Sequence, residues 1–144
     1  MAGVEILRPG AVCVEASRAF YWWPGDPPKP DALELVWNDG TALVFDTKSD
    51  WTMTISRGPW RDPFDGVDVD DPSWDLGKWT KEPLAESDRA TSVIGSTLRD
   101  FTPRFNEVGE FVGLNLIFDT AVITLGVWGG DLTVRTQGPG KVIR

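Results

Sequence analysis

Leu33 to Thr54, LELVWNDGTALVFDTKSDWTMT, and Leu114 to Arg135, LNLIFDTAVITLGVWGGDLTVR, align without a gap at an offset of 81 residues. Leu33 falls on Leu114, Leu35 on Leu116, Val36 on Ile117, Trp37 on Phe118, Val44 on Leu125, Trp51 on Leu132 and Met53 on Val134, while Asp50 falls on Asp131. The same offset carries Val12 onto Val93, Arg18 onto Arg99 and Phe20 onto Phe101. A gap-free register that keeps apolar positions together with polar ones points to an internal duplication. Two copies are too few to close a stacked array, so the pattern predicts one domain with a pseudo-twofold axis.

Inside each copy the side chains alternate. Trp51, Met53 and Ile55 point one way and Thr52, Thr54 and Ser56 the other, as do Leu132 and Val134 against Thr133 and Arg135. This is the period of a half-buried strand. The runs Ala42 to Phe45 and Val122 to Leu125 are apolar on both faces and suit central strands covered on each side. Asn38-Asp39-Gly40 supplies a tight turn between two such runs, Lys48-Ser49-Asp50 and Gly129-Gly130-Asp131 supply the next turn of each copy, and Asp119-Thr120-Ala121 requires a different turn type.

The expected fold is therefore all-β: a single-domain sandwich or partly closed barrel of about eight short strands. Its duplicated halves span 11–57 and 92–137 and are joined by a Trp- and Asp-rich linker, 58–91. Pro24 to Pro30 is too rich in proline to pair and predicts a stiff surface loop. Leu84 to Asp88 is the one short stretch suited to a helical turn. Trp37 and Trp51, aligned with Phe118 and Leu132, are expected in the core.

A chain of 144 residues, 41% hydrophobic and 25% charged, has the composition of an ordinary globular domain. Glu5, Arg8 and Pro9 interrupt the apolar run that a secretory leader needs, and Cys13 is the single cysteine, so a reducing, cytoplasmic setting is expected. Acidic residues outnumber basic ones 22 to 14, a balance that repels phosphate backbones and anionic membranes and disfavours both as partners.

The sequence contains no histidine, which removes imidazole proton shuttles, Ser-His and Cys-His nucleophile pairs and imidazole metal sites. Phosphate-binding glycine loops and the G-x-S-x-G nucleophile turn do not occur. No catalytic residue, metal ligand set or cofactor site is assigned, and the chain is expected not to be an enzyme. A glycosidase-like carboxylate pair needs closeness only in space, so sequence is silent on it.

Asp62, Asp65, Asp68, Asp70, Asp71 and Asp75 are the densest charge cluster. The glycine at 66 is misplaced for an EF-hand loop. A solvated loop, a patch for a basic partner and a calcium or magnesium site are the three alternatives. Eight tryptophans are many for this length, and Trp22, Trp23, Trp60, Trp74 and Trp79 have no aromatic counterpart in the other half. They pack over the ends of the sandwich or serve as recognition anchors. The candidate partner-binding residues are Asp68, Asp70, Asp71, Trp74, Trp60 and Trp128.

With its LxLxF run, turn, apolar strand and closing DWTMTI or GDLTV, the chain resembles small bacterial all-β domains of unknown function built from duplicated hairpin halves. Some small acidic bacterial proteins of this style are encoded beside polymorphic toxins and act as immunity proteins. That resemblance implies a cytoplasmic protein-binding module, an immunity protein for a basic toxin being its specific form. The alternative is a β domain that binds a small ligand or carbohydrate through surface tryptophans.

Overall fold

Among residues 3–139, which the computed structural model describes, nine antiparallel strands form two sheets. Strands β1 (Cys13–Trp22), β2 (Lys29–Trp37), β3 (Ala42–Thr47), β4 (Met53–Arg57) and β5 (Lys78–Pro83) make the first, in the order β4-β3-β2-β1-β5. Strands β6 (Leu98–Phe105), β7 (Phe111–Phe118), β8 (Val122–Trp128) and β9 (Asp131–Gln137) make the second, in sequence order. The sheets stay open and face each other as a sandwich. Among the described residues no helix is long and apolar enough to cross a membrane, the helical pieces being 3-10 turns at Val4–Ile6 and Arg89–Val93.

The alternation seen in the sequence builds the core. Leu33, Leu35 and Phe45 on the first sheet and Leu114, Leu116 and Leu125 on the second are all 0% exposed, each contributing about 1.5–3 kcal/mol by burial. Trp37 and Phe118 stack across the sheets with ring centroids 6.1 Å apart. The Asn38-Asp39-Gly40 turn closes as expected, with Gly40 at φ 86° and the Asp39 carboxylate accepting from the Thr41 N–H at 2.9 Å.

Each half runs from a 3-10 turn into a four-stranded meander, and the register matches closely. β1 and β6 carry the same bulge, between Cys13 and Glu15 in one and between Leu98 and Asp100 in the other. The bulges leave Cys13 opposite Trp37 and Leu98 opposite Phe118. Equivalent positions are not at one constant offset, however. Leu33 matches Leu114, but Phe45, not Val44, matches Leu125, because Leu33 pairs Phe45 as Leu114 pairs Leu125. Met53, not Trp51, matches Leu132, and Cys13 matches Leu98, not a residue near Val93. Turn lengths differ between the halves, and each difference moves the register.

Five expectations are corrected. The stretch Pro24 to Pro30 is not all unpaired loop, because Lys29 and Pro30 begin β2 opposite Tyr21 and Phe20. Trp51 is not a core residue: it sits at φ 64° in the turn before β4 and is 61% exposed. The helical turn lies at Arg89–Val93, where the Asp88 carboxylate caps the Ala90 N–H at 2.9 Å, and not at Leu84 to Asp88. The strand count rises from eight to nine because the linker contributes β5, which pairs with β1 and forms an edge of the first sheet. The linker also does not cap an end of the sandwich: Trp60 and Trp79 cover Ala19, Ala32 and Val44 on the outer face of the first sheet.

Candidate functional site

The end of β1 and the start of β5 lie side by side, with Tyr21 opposite Trp79 and Trp22 opposite Lys78. Trp22 donates its indole N–H to the Thr80 hydroxyl at 2.8 Å, which fixes its ring against β5. The chain then turns through Trp23-Pro24-Gly25-Asp26, where the Asp26 N–H bonds the Trp23 carbonyl at 3.1 Å. From the other side the linker returns Trp74, whose indole N–H donates to the Gly77 carbonyl at 2.6 Å and whose ring meets Phe64 edge-on at 5.1 Å.

Between these segments lies a cleft of about 340 Å³ walled by Trp22, Trp23, Pro24 and Trp74, with Asp26, Asp70 and Lys78 at its rim. Trp23 is 43% exposed. The Lys78 ammonium already lies 5.8 Å from the centroid of Trp22. A cleft with aromatic walls and carboxylates at its mouth accepts a cation over a ring face, or a sugar ring stacked flat.

The acidic segment beside it is ordered by its own carboxylates. Asp62 accepts from the Phe64 N–H at 2.8 Å, Asp68 from the Asp70 N–H at 3.1 Å, and Asp71 from both the N–H and the hydroxyl of Ser73. Such turns, closed two residues on, are what Asp favours in loops. The Ser73 N–H and hydroxyl hold the Asp71 carboxyl below the usual carboxylate range. Among the described residues no group of three or more metal-binding side chains is placed to hold an ion.

The six candidate residues fall in three places. Asp70 and Trp74 line the cleft, with Asp68 and Asp71 exposed on the adjoining turns. Trp60 packs half-buried on the outer face of the first sheet, its backbone N–H bound to the buried Glu34 carboxylate at 2.7 Å. Trp128 lies on the second sheet, 79% exposed. Trp22, Trp23, Asp26 and Lys78 were not assigned to a site by sequence, although the adjacent Trp22-Trp23 pair next to a proline-rich loop is the signal that marks them.

One pair of carboxylates is also close. Asp31 of β2 lies near Asp46 of β3, and burial, with the nearby charges of Asp46 and Asp131, pushes the Asp31 carboxyl up to about 6. Arg18 beside them donates to the carbonyls of Asp31 at 2.7 Å and Leu132 at 2.9 Å, and Lys29 pairs with Asp131 at 2.9 Å. These bonds tie β1 and β2 to β9, so this pair belongs to the seam between the sheets.

In comparisons with known proteins, no family model matches the chain, and neither a curated protein nor a solved structure matches it.

Proposed function

We propose that the chain is a non-enzymatic protein-binding module that takes a basic protein partner, with neutralisation of a basic toxin as its specific form. The cleft between Trp23 and Trp74 carries the proposal. An arginine or lysine side chain entering it would lie over an indole face with Asp26 and Asp70 beside its charge, repeating the contact that Lys78 makes with Trp22. The net charge of −8 adds long-range attraction for such a partner. A cytoplasmic setting is part of the proposal and is supported by the single, buried thiol of Cys13. So is descent of the two halves from one duplicated unit, supported by their shared bulge and meander order.

A saccharide is the second occupant, favoured by the exposed face of Trp23. Calorimetric titration with a tetra-arginine peptide and with a neutral tetrasaccharide separates the two. Salt-sensitive binding of the peptide that is lost in Trp23→Ala supports the basic partner. Salt-independent binding of the sugar alone overturns it in favour of the second occupant.

A further inference from the structure

The outer face of the second sheet differs from that of the first at matched positions. Register sets Arg104 of β6, Gly113 of β7, Gly126 of β8 and Thr133 of β9 in one row across the sheet. The next row is Thr102, Asn115, Thr124 and Arg135. Side chains alternate along a strand, so both rows point away from Leu114, Leu116 and Leu125 in the core. On the first sheet the positions matching Gly113 and Thr124 are Ala32 and Val44, closed over by Trp60 and Trp79. On the second, Thr124 and Gly126, the partner of Gly113 on β8, border a trough of about 580 Å³ with Trp128 and Arg135 on its wall.

Two glycines facing each other in central strands weaken a sheet and mark a place where something approaches the backbone closely. Here the first occupant is Arg104. A Cβ on Gly113 would overlap its guanidinium, which lies flat across β7 and donates from Nη2 to the Leu125 carbonyl at 2.6 Å. Its Nε is buried and has no hydrogen-bond partner. Among the described residues neither Arg104 nor Arg135 forms an ion pair, in a chain with 22 acidic side chains. Two cations are thus gathered in one trough with no carboxylate between them.

We propose that this trough binds a small organic oxyanion, its carboxylate or phosphate group between Arg104 and Arg135 and an attached flat ring against Trp128. The volume is that of an ordinary small-molecule site. A guanidinium matches an oxyanion through paired N–H donors, and an anion between the two arginines relieves their repulsion. Arg104 is pinned in advance by Leu125, so little side-chain freedom is lost on binding. The Thr133 hydroxyl, which lines the same trough, supplies a further donor. The exposed indole of Trp128 gives the ring a stacking surface.

Calorimetric titration of the whole chain with benzoate, phenyl phosphate, inorganic phosphate and uncharged benzyl alcohol tests the site. Benzoate or phenyl phosphate should bind at least about tenfold more tightly than inorganic phosphate, and benzyl alcohol should not bind. Whichever aromatic anion binds more tightly identifies the headgroup. Arg135→Gln, at an exposed position, should weaken the tighter anion by about tenfold or more, and Trp128→Ala should remove the advantage of the ring. The proposal is overturned if neither aromatic anion binds, if benzyl alcohol binds as well as they do, or if Arg135→Gln binds like the parent while keeping its melting temperature.

Discussion

Val12 and Thr97 face each other in an isolated antiparallel bridge, and the bonds flanking it come in matched pairs. Cys13 N–H donates to the Ser96 carbonyl at 3.0 Å as Leu98 N–H donates to Ala11 at 2.9 Å, and Gly10 N–H reaches Leu98 at 2.8 Å as Gly95 N–H reaches Cys13 at 2.6 Å. The local twofold relation therefore passes through this bridge. Gly10 and Gly95 sit at φ 99° and 84° with open space around them, so an added Cβ meets only backbone strain. Gly10→Ala and Gly95→Ala should each lower stability by about 1–2 kcal/mol in urea unfolding. A loss at one glycine and none at the other would break the equivalence.

The hairpins were legible in the sequence because Leu33, Leu35, Leu114 and Leu116 alternate with residues of the other face and the Asn38-Asp39-Gly40 turn has its own chemistry. The register between the halves was not. Ala42 to Phe45 is apolar on both faces, so nothing in its pattern tells Val44 from Phe45 as the partner of Leu125. Trp51 and Met53 differ by two positions, which preserves alternation and hides the slip. β5 reads KWTKEP, a charged edge segment that ends in proline, and its pairing with β1 depends on long-range contact. The cleft and the Arg104 trough each gather residues distant in sequence, and only the fold brings them together.

Glu34 holds the linker to the first sheet. Its buried carboxylate accepts from Trp60 N–H at 2.7 Å and pairs with Lys81 at 2.8 Å. Glu34→Ala leaves both donors without an acceptor and should cost about 2–3 kcal/mol, with a red shift of tryptophan emission as Trp60 loosens. Glu34→Gln keeps an acceptor for Trp60 and should lose less. Equal losses in the two variants would show that the contact with Trp60 contributes nothing.

Asp31 makes stability depend on pH in the direction opposite to a salt-bridged carboxylate. Burial first, then Asp46 and Asp131, raise its carboxyl to about 6, against the opposing pull of Arg18 and Lys29. Between about pH 4 and 6 the folded chain holds this proton more tightly than the unfolded chain does. The stability it contributes is complete below about pH 4 and is lost as pH rises through about 6. Asp31→Asn should therefore flatten the fall in melting temperature across that window and raise stability at neutral pH by on the order of 1 kcal/mol after solvent screening. An unchanged pH profile in the variant would remove Asp31 as its source.

Cys13 is fully buried, its thiol directed to the Glu15 carbonyl at 3.4 Å, and burial pushes it up to about 11. Little thiolate forms at neutral pH, so iodoacetamide should modify the folded chain only at the rate of its opening. Modification should become fast in urea. Rapid labelling of the native protein would place the thiol at the surface.

The acidic turns and the aromatic cleft should separate the kinetics of partner binding. Asp68 and Asp71 close their turns through Oδ1, and asparagine offers the same acceptor, so changing Asp68, Asp70 and Asp71 together to Asn removes charge while keeping the local structure. With a basic partner, such as the tetra-arginine peptide, the triple variant should associate about tenfold more slowly at low salt, and its rate should depend less on ionic strength. Trp23→Ala removes a ring face that is already 43% exposed, so the fold should hold while dissociation speeds by about tenfold. Trp74→Ala is a less selective change, because its ring also packs on Phe64 and its N–H anchors Gly77. Stopped-flow traces give both rates directly. If the triple variant associates as fast as the parent and Trp23→Ala dissociates as slowly, the basic partner is not held at this cleft.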